Sequence, residues 1–149
     1  MPVAEHVAVP RGADIKVAAR DDAAARIVLL FDGDHNKLPR SERLKLKLAS
    51  RLSGREMPYA TLMYVATPSA ALGSFVRHPS TGRVQAVVAS KITGPGGWID
   101  VQRDVLADYR LAFGEEPGAL IAYGVMSDSD NTASKAQAWY GDIRFVSRR

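Results

Sequence analysis

The run Arg26-Ile-Val-Leu-Leu-Phe31 is continuously apolar after its arginine and stops at Asp32-Gly33-Asp34. An apolar run of that length released into a turn predicts a strand buried on both faces. Residues 59–67 (YATLMYVAT), held between Pro58 and Pro68, and residues 84–90 (VQAVVAS) are rich in aromatic and β-branched side chains and predict two more. Residues 3–9, 98–101, 119–126 and 137–146 read as further extended pieces. Loops are expected around residues 73–82, at the Gly94-Pro95-Gly96-Gly97 turn, at Glu115-Glu116-Pro117-Gly118 and across residues 127–135.

Two stretches change period. In residues 41–52 the leucines at 44, 48 and 52 recur every four residues, with Ser41 as a cap and Gly54 after the end, which predicts an amphipathic helix. The same stretch alternates Leu44, Leu46 and Leu48 with Lys45 and Lys47, as a half-buried strand does, and only the flanking caps favour the helix. Residues 105–113 (VLADYRLAF) predict a short helix with Asp104 as N-cap and Gly114 as stop, Val105, Tyr109 and Ala112 to Phe113 sharing a face.

Strands separated by turn-rich loops, two short helices and no regular βαβ alternation predict a mainly β fold. The expected form is an antiparallel, jelly-roll-like β-sandwich. At 149 residues the chain suits one domain, 1–149, with a core that needs neither disulfide nor metal.

Composition narrows the function classes. An apolar share of 46% and a charged share of 24% are ordinary for a globular protein. The absence of cysteine excludes thiol catalysis, cysteine-ligated zinc and a disulfide scaffold. The start MPVAEHVAVPRGADIK has neither a basic n-region nor an apolar h-region, and no stretch reaches the length of a membrane span, so the expectation is a soluble chain with no membrane partner. A net charge of +4 favours an acidic partner, but the cations are scattered; the densest group, Arg43, Lys45, Lys47 and Arg51, reads as a solvated helix face, and no nucleic-acid partner is expected.

The chemistry concentrates near the C-terminus. Asp128, Asp130, Asn131 and Thr132 set oxygen ligands on one loop, and Asp142 could add a carboxylate, which makes Asp128, Asp130 and Asp142 the candidate ligands of a hard cation such as calcium. The loop lacks the glycine and the bidentate glutamate of an EF-hand, and the competing reading is a turn fixed by side chain to backbone bonds. Alternation along 137–146 would put Tyr140, Asp142 and Arg144 on one face, with a structural hydrogen bond or an ion pair to a nearby arginine as the alternative role for Asp142.

Among Trp98, Tyr109, Tyr123, Trp139 and Tyr140, the indoles Trp98 and Trp139 are the candidate stacking platforms for a sugar ring, with Asp128, Asp130 and Asn131 as polar partners. Core packing is the commoner fate of such rings, and only exposure separates the two. No catalytic residue is assigned. His35 beside Asp32 and Asp34 is explained by turn chemistry, Glu115 and Glu116 read as a solvated turn, the serines at 127, 129 and 134 have no histidine near them in sequence, and GPGG lacks the lysine of a phosphate loop.

The segments DYRLAFGEEPG (108–118), GVMSDSDNT (124–132) and AWYGDIRF (138–145), in that order, resemble the bacterial family called domain of unknown function 3047. DDAAARIVLLFDGD, MPYATLMYV and VVASKITGPGGWIDVQRDV extend the likeness over nearly the whole chain. The resemblance implies a jelly-roll sandwich akin to galactose-binding and carbohydrate-binding domains, with no assigned activity. It also implies a periplasmic or secreted location, a cytoplasmic one being the alternative. Members usually have a further N-terminal stretch and a tryptophan where this chain has Ala66. A sandwich without the strands expected of that N-terminal stretch would expose an edge, and a homodimer paired through it is expected. The leading expectation is a non-catalytic carbohydrate- or ligand-binding module. An assembly protein pairing through a sheet edge and a polysaccharide hydrolase or lyase using the acids at 128, 130 and 142 are the alternatives.

Overall fold

The computed structural model describes residues 2–3, 25–92, 98–127 and 137–147. Strands β2 (Ala25–Phe31) and β3 (Ala60–Ala66) run antiparallel, with Ala25 opposite Ala66 and Phe31 opposite Ala60. That register sets Ile27, Leu29 and Phe31 beside Tyr64, Leu62 and Ala60 on one face, and Val28 beside Met63 on the other. Both faces are buried over most of the two strands, as their unbroken apolar runs predict. Leu29 and Leu62 are at most 1% exposed, and each contributes about 2 kcal/mol by leaving water.

Strands β4 (Phe75–Arg77), β5 (Val84–Ser90) and β7 (Leu120–Met126) complete a five-stranded sheet in the order β4-β5-β3-β2-β7. A separate two-stranded pair joins β1 (Pro2–Val3) to β6 (Ile99–Asp100). The expected all-antiparallel pairing is corrected at one junction, because β5 lies parallel to β3. Residues 67–83 make the long crossover that a parallel pair needs, and β4, read from sequence as loop, pairs antiparallel with the outer side of β5. The chain is thus mainly β, with one open mixed sheet; a second sheet facing it is not among the described elements.

Helix α2 (Val105–Phe113) forms as its caps predict. The Asp104 carboxylate accepts from the Ala107 amide at 3.1 Å, and Gly114, at φ 69°, donates its amide to the Arg110 carbonyl. Its Tyr109 is fully buried between Phe31 and Phe113, ring centroids 4.7 and 4.6 Å away. Helix α1 (Arg40–Ser53) settles the ambiguity at 41–52 in favour of helix, ended by Gly54 at φ 68°. Its N-cap is Pro39, with no side-chain cap bond, so Ser41 lies inside the first turn instead of capping it.

The C-terminal piece departs furthest from expectation. No strand runs through residues 137–146; Tyr140 and Ile143 both pack on the core, while Asp142 and Arg144 are exposed. Inward side chains three residues apart cannot belong to a pleated strand of period two, so the expected alternation fails between Tyr140 and Ile143. One close approach locks the sheet end: the Gly118 backbone lies so near the Asp32 carbonyl that a Cβ there would collide with it, and the Asp32 amide donates to the Ala119 carbonyl at 2.9 Å. Among the described residues no helix is long and apolar enough to cross a membrane.

Candidate functional site

The two ends of β2 and β3 differ in chemistry. At the Ala25–Ala66 end, those alanines and Ile92 form a small buried cluster, against which Ile99, Ala138 and Tyr140 pack. Trp98 precedes Ile99 and Trp139 lies between Ala138 and Tyr140, so both indoles are held at this end by neighbours anchored in one cluster. They stay 48% and 41% exposed, and that exposure is what a stacking platform requires. The Tyr140 hydroxyl fixes the segment beneath them: it donates to the Met126 carbonyl at 2.8 Å and accepts from the Arg26 amide at 3.2 Å. A hydroxyl has one proton to give, so the Ser127 hydroxyl, 3.2 Å away, is the donor in their contact.

The other candidate rings divide. Tyr109 is core, which corrects its inclusion among the candidate platforms. Tyr123, 54% exposed, meets Phe145 edge-on at 5.1 Å. Asp142, the one candidate metal ligand among the described residues, is 3.2 Å from the Arg144 guanidinium, both side chains about three-quarters exposed at 76% and 80%. Asp128, Asp130, Asn131 and Thr132 lie outside the described residues. Among the described residues no group of three histidines or acids is gathered as a metal site would need.

At the opposite, Phe31–Ala60 end sits a polar cluster that the sequence did not reveal. Glu115 accepts from the Arg83 guanidinium at 2.6 Å and from the Tyr59 hydroxyl at 3.1 Å, and Arg83 in turn donates to the Tyr59 carbonyl at 3.1 Å. The guanidinium lies over the Tyr59 and Phe113 rings, 4.4 and 4.9 Å from their centroids. Burial first, then the carboxylate of Glu115, raises the Tyr109 hydroxyl to about 12; burial first, then the bond to Glu115, raises Tyr59 as well. Glu115 is therefore more than the solvated turn residue expected, whereas Glu116 points away to a bidentate, exposed pair with Arg110. The sequence signal for this end is the spacing of Tyr109 and Arg110 from Glu115 and Glu116 across a helix end marked by Gly114.

A third polar group lies under α2. Asp108, 4% exposed, receives two bonds from Arg103 at 2.6 and 2.9 Å and one from the Tyr64 hydroxyl at 2.8 Å. Burial and that bond drive the Tyr64 hydroxyl far above its ordinary value. Each member is satisfied by the others, which is the behaviour of a structural network. His35 likewise takes a structural place, its Nε2 3.3 Å from the Met57 carbonyl and its ring edge-on to Tyr59, while the Asp34 carboxylate caps the short 3-10 turn His35–Lys37.

Compared with known families, residues 6–144 match the one described as Protein of unknown function (DUF3047). The chain belongs to the DUF3047 family. Comparison with the curated proteins and with the solved structures finds no match. DUF3047 membership covers the sheet, both helices and the two indoles alike, and it brings no activity with it.

Proposed function

We propose that this DUF3047 chain is a non-catalytic module that binds a glycan or similar flat-faced ligand through Trp98 and Trp139. The observation that supports this is the anchoring of two half-exposed indoles at the same end of the sheet by neighbours packed in one cluster. The jelly-roll kinship implied by the sequence resemblance belongs to the same proposal, as do Asp128, Asp130 and Asn131 as polar partners of the ligand. The test is an array of cell-wall and exopolysaccharide fragments followed by titration of tryptophan fluorescence. Binding should weaken about ten-fold or more in Trp98→Ala and in Trp139→Ala, in line with the stacking energy of one ring. Absence of any glycan binding by the unaltered chain ends this reading. Calcium held by Asp128, Asp130 and Asp142 enters as a further arm: added chelator should lower affinity if the ion takes part.

A second reading, homodimeric assembly through a sheet edge, has its own support. Strand β7 pairs only with β2 among the described strands, and its Tyr123 and Val125 are 54% and 49% exposed. Light scattering across a concentration series should then show a dimer that Val125→Lys dissociates. A monomer at every concentration removes this reading.

A further inference from the structure

Helix α1 is mounted with its larger apolar face outward. The side turned to the protein presents Glu42, Leu46, Ala49 and Ser50: Leu46 packs on the core edge, the Glu42 carboxylate accepts from Thr81 and Lys45, and the Ser50 hydroxyl accepts the Met57 amide at 3.0 Å. Leu44, Leu48 and Leu52 are 68%, 56% and 82% exposed. At 3.6 residues per turn the three lie within about 80° of arc, forming one continuous stripe. On the same wheel Arg40, Lys47 and Arg51 follow one border of the stripe and Lys45 the other. The helix has one acid, Glu42, and it is on the buried side. Polar contacts and a single leucine dock the helix, so the outward leucines contribute nothing to the packing of the sheet and form an exposed apolar patch.

We propose that α1 lies on a bilayer surface bearing anionic headgroups, its leucines entering the interface and Arg40, Lys47 and Arg51 meeting the phosphates. A leucine stripe bordered by cations is the composition of a helix that lies in the interface plane, a mode of binding that needs no spanning segment. The charge pattern selects the occupant. Two copies of this face would set cation against cation, whereas an anionic lipid surface complements the border of Arg40, Lys47 and Arg51, Lys45 on the other side being engaged by Glu42. This site is separate from the indole end: α1 joins the Phe31 end of β2 to the Ala60 end of β3, about 20 Å along the strands from Ala25 and Ala66.

The experiment is co-sedimentation of the full chain with vesicles of phosphatidylcholine alone or mixed with phosphatidylglycerol. The expected result is binding to the mixed vesicles that falls with salt, and little to the neutral ones. Leu44→Ser/Leu48→Ser/Leu52→Ser should abolish it while the circular dichroism spectrum is retained. Lys47→Gln/Arg51→Gln, which leaves the leucines in place, should weaken it roughly 25-fold, at about five-fold per cation. No binding to mixed vesicles, or equal binding by either variant, overturns the proposal. So does an outcome in which vesicles are ignored and the triple variant instead abolishes self-association, since the stripe would then be a protein contact.

Discussion

The two helices are nearly opposite in how they use their apolar residues. Helix α2 buries Tyr109 and Asp108, is capped by side chain and glycine, and is tied to β3 through Tyr64. Helix α1 has the more regular leucine spacing and yet exposes it, held by a carboxylate, a serine and one leucine. Amphipathic spacing therefore states that a helix has an apolar face. Which side meets the core is decided by what surrounds it, here the Thr81 hydroxyl and the Arg77 guanidinium facing Glu42. The Thr81 bond, against the opposing effect of burial, holds the Glu42 carboxyl below its ordinary value, with Lys45 and Arg77 adding to it.

The contrast can be broken most severely at Tyr109. Tyr109→Ala should cost about 4 kcal/mol, the loss expected for a fully buried ring, read as a shift in urea midpoint with unchanged slope. Next comes Asp108→Ala, which leaves the Arg103 guanidinium and the Tyr64 hydroxyl without their acceptor and should cost about 3 kcal/mol in the same measurement.

Alkali probes the same side of the sheet without mutation. Tyr59, Tyr64 and Tyr109 are all raised from 10.0, burial being the first cause in each, and Tyr109 reaches about 12. The unfolded chain loses these protons near pH 10 and the folded one only later, so the stability they contribute is whole below 10 and declines as pH rises toward 12. Urea midpoints on either side of pH 10 check this, and Tyr109→Phe should soften the decline. The smallest effect belongs to α1: Leu48→Ser should change stability by no more than about 0.5 kcal/mol, because its side chain already meets water. A loss comparable to that of Tyr109→Ala would mean that the leucine stripe is core after all.

Where apolar runs were long and their ends carried turn or cap residues, the fold was legible. β2, β3, β5, β7 and α2 are found within a residue of where period and caps placed them. β4 was not, because three residues cannot display a period. The parallel junction was not, because chain order says nothing of which side of β5 meets β3. The C-terminal strand failed for a different reason: Tyr140 is drawn inward by the backbone groups its hydroxyl serves, and the pleat gives way to that anchor. At the candidate site residue type names the rings without ranking them, Tyr123 being more exposed than either indole, and the common anchoring of Trp98 and Trp139 depends on Ala25, Ala66 and Ile92, small or plain residues distant in sequence that announce nothing.

The hydroxyl of Tyr140 uses its whole bonding capacity on Met126, Ser127 and the Arg26 amide, the last 114 positions away in sequence. That amide can trade its proton for solvent deuterium through this contact only when Tyr140 lets go. Whatever steadies the adjoining Trp139 should slow the exchange of one backbone proton in β2, so a single amide becomes a clock for events on the far end of the chain.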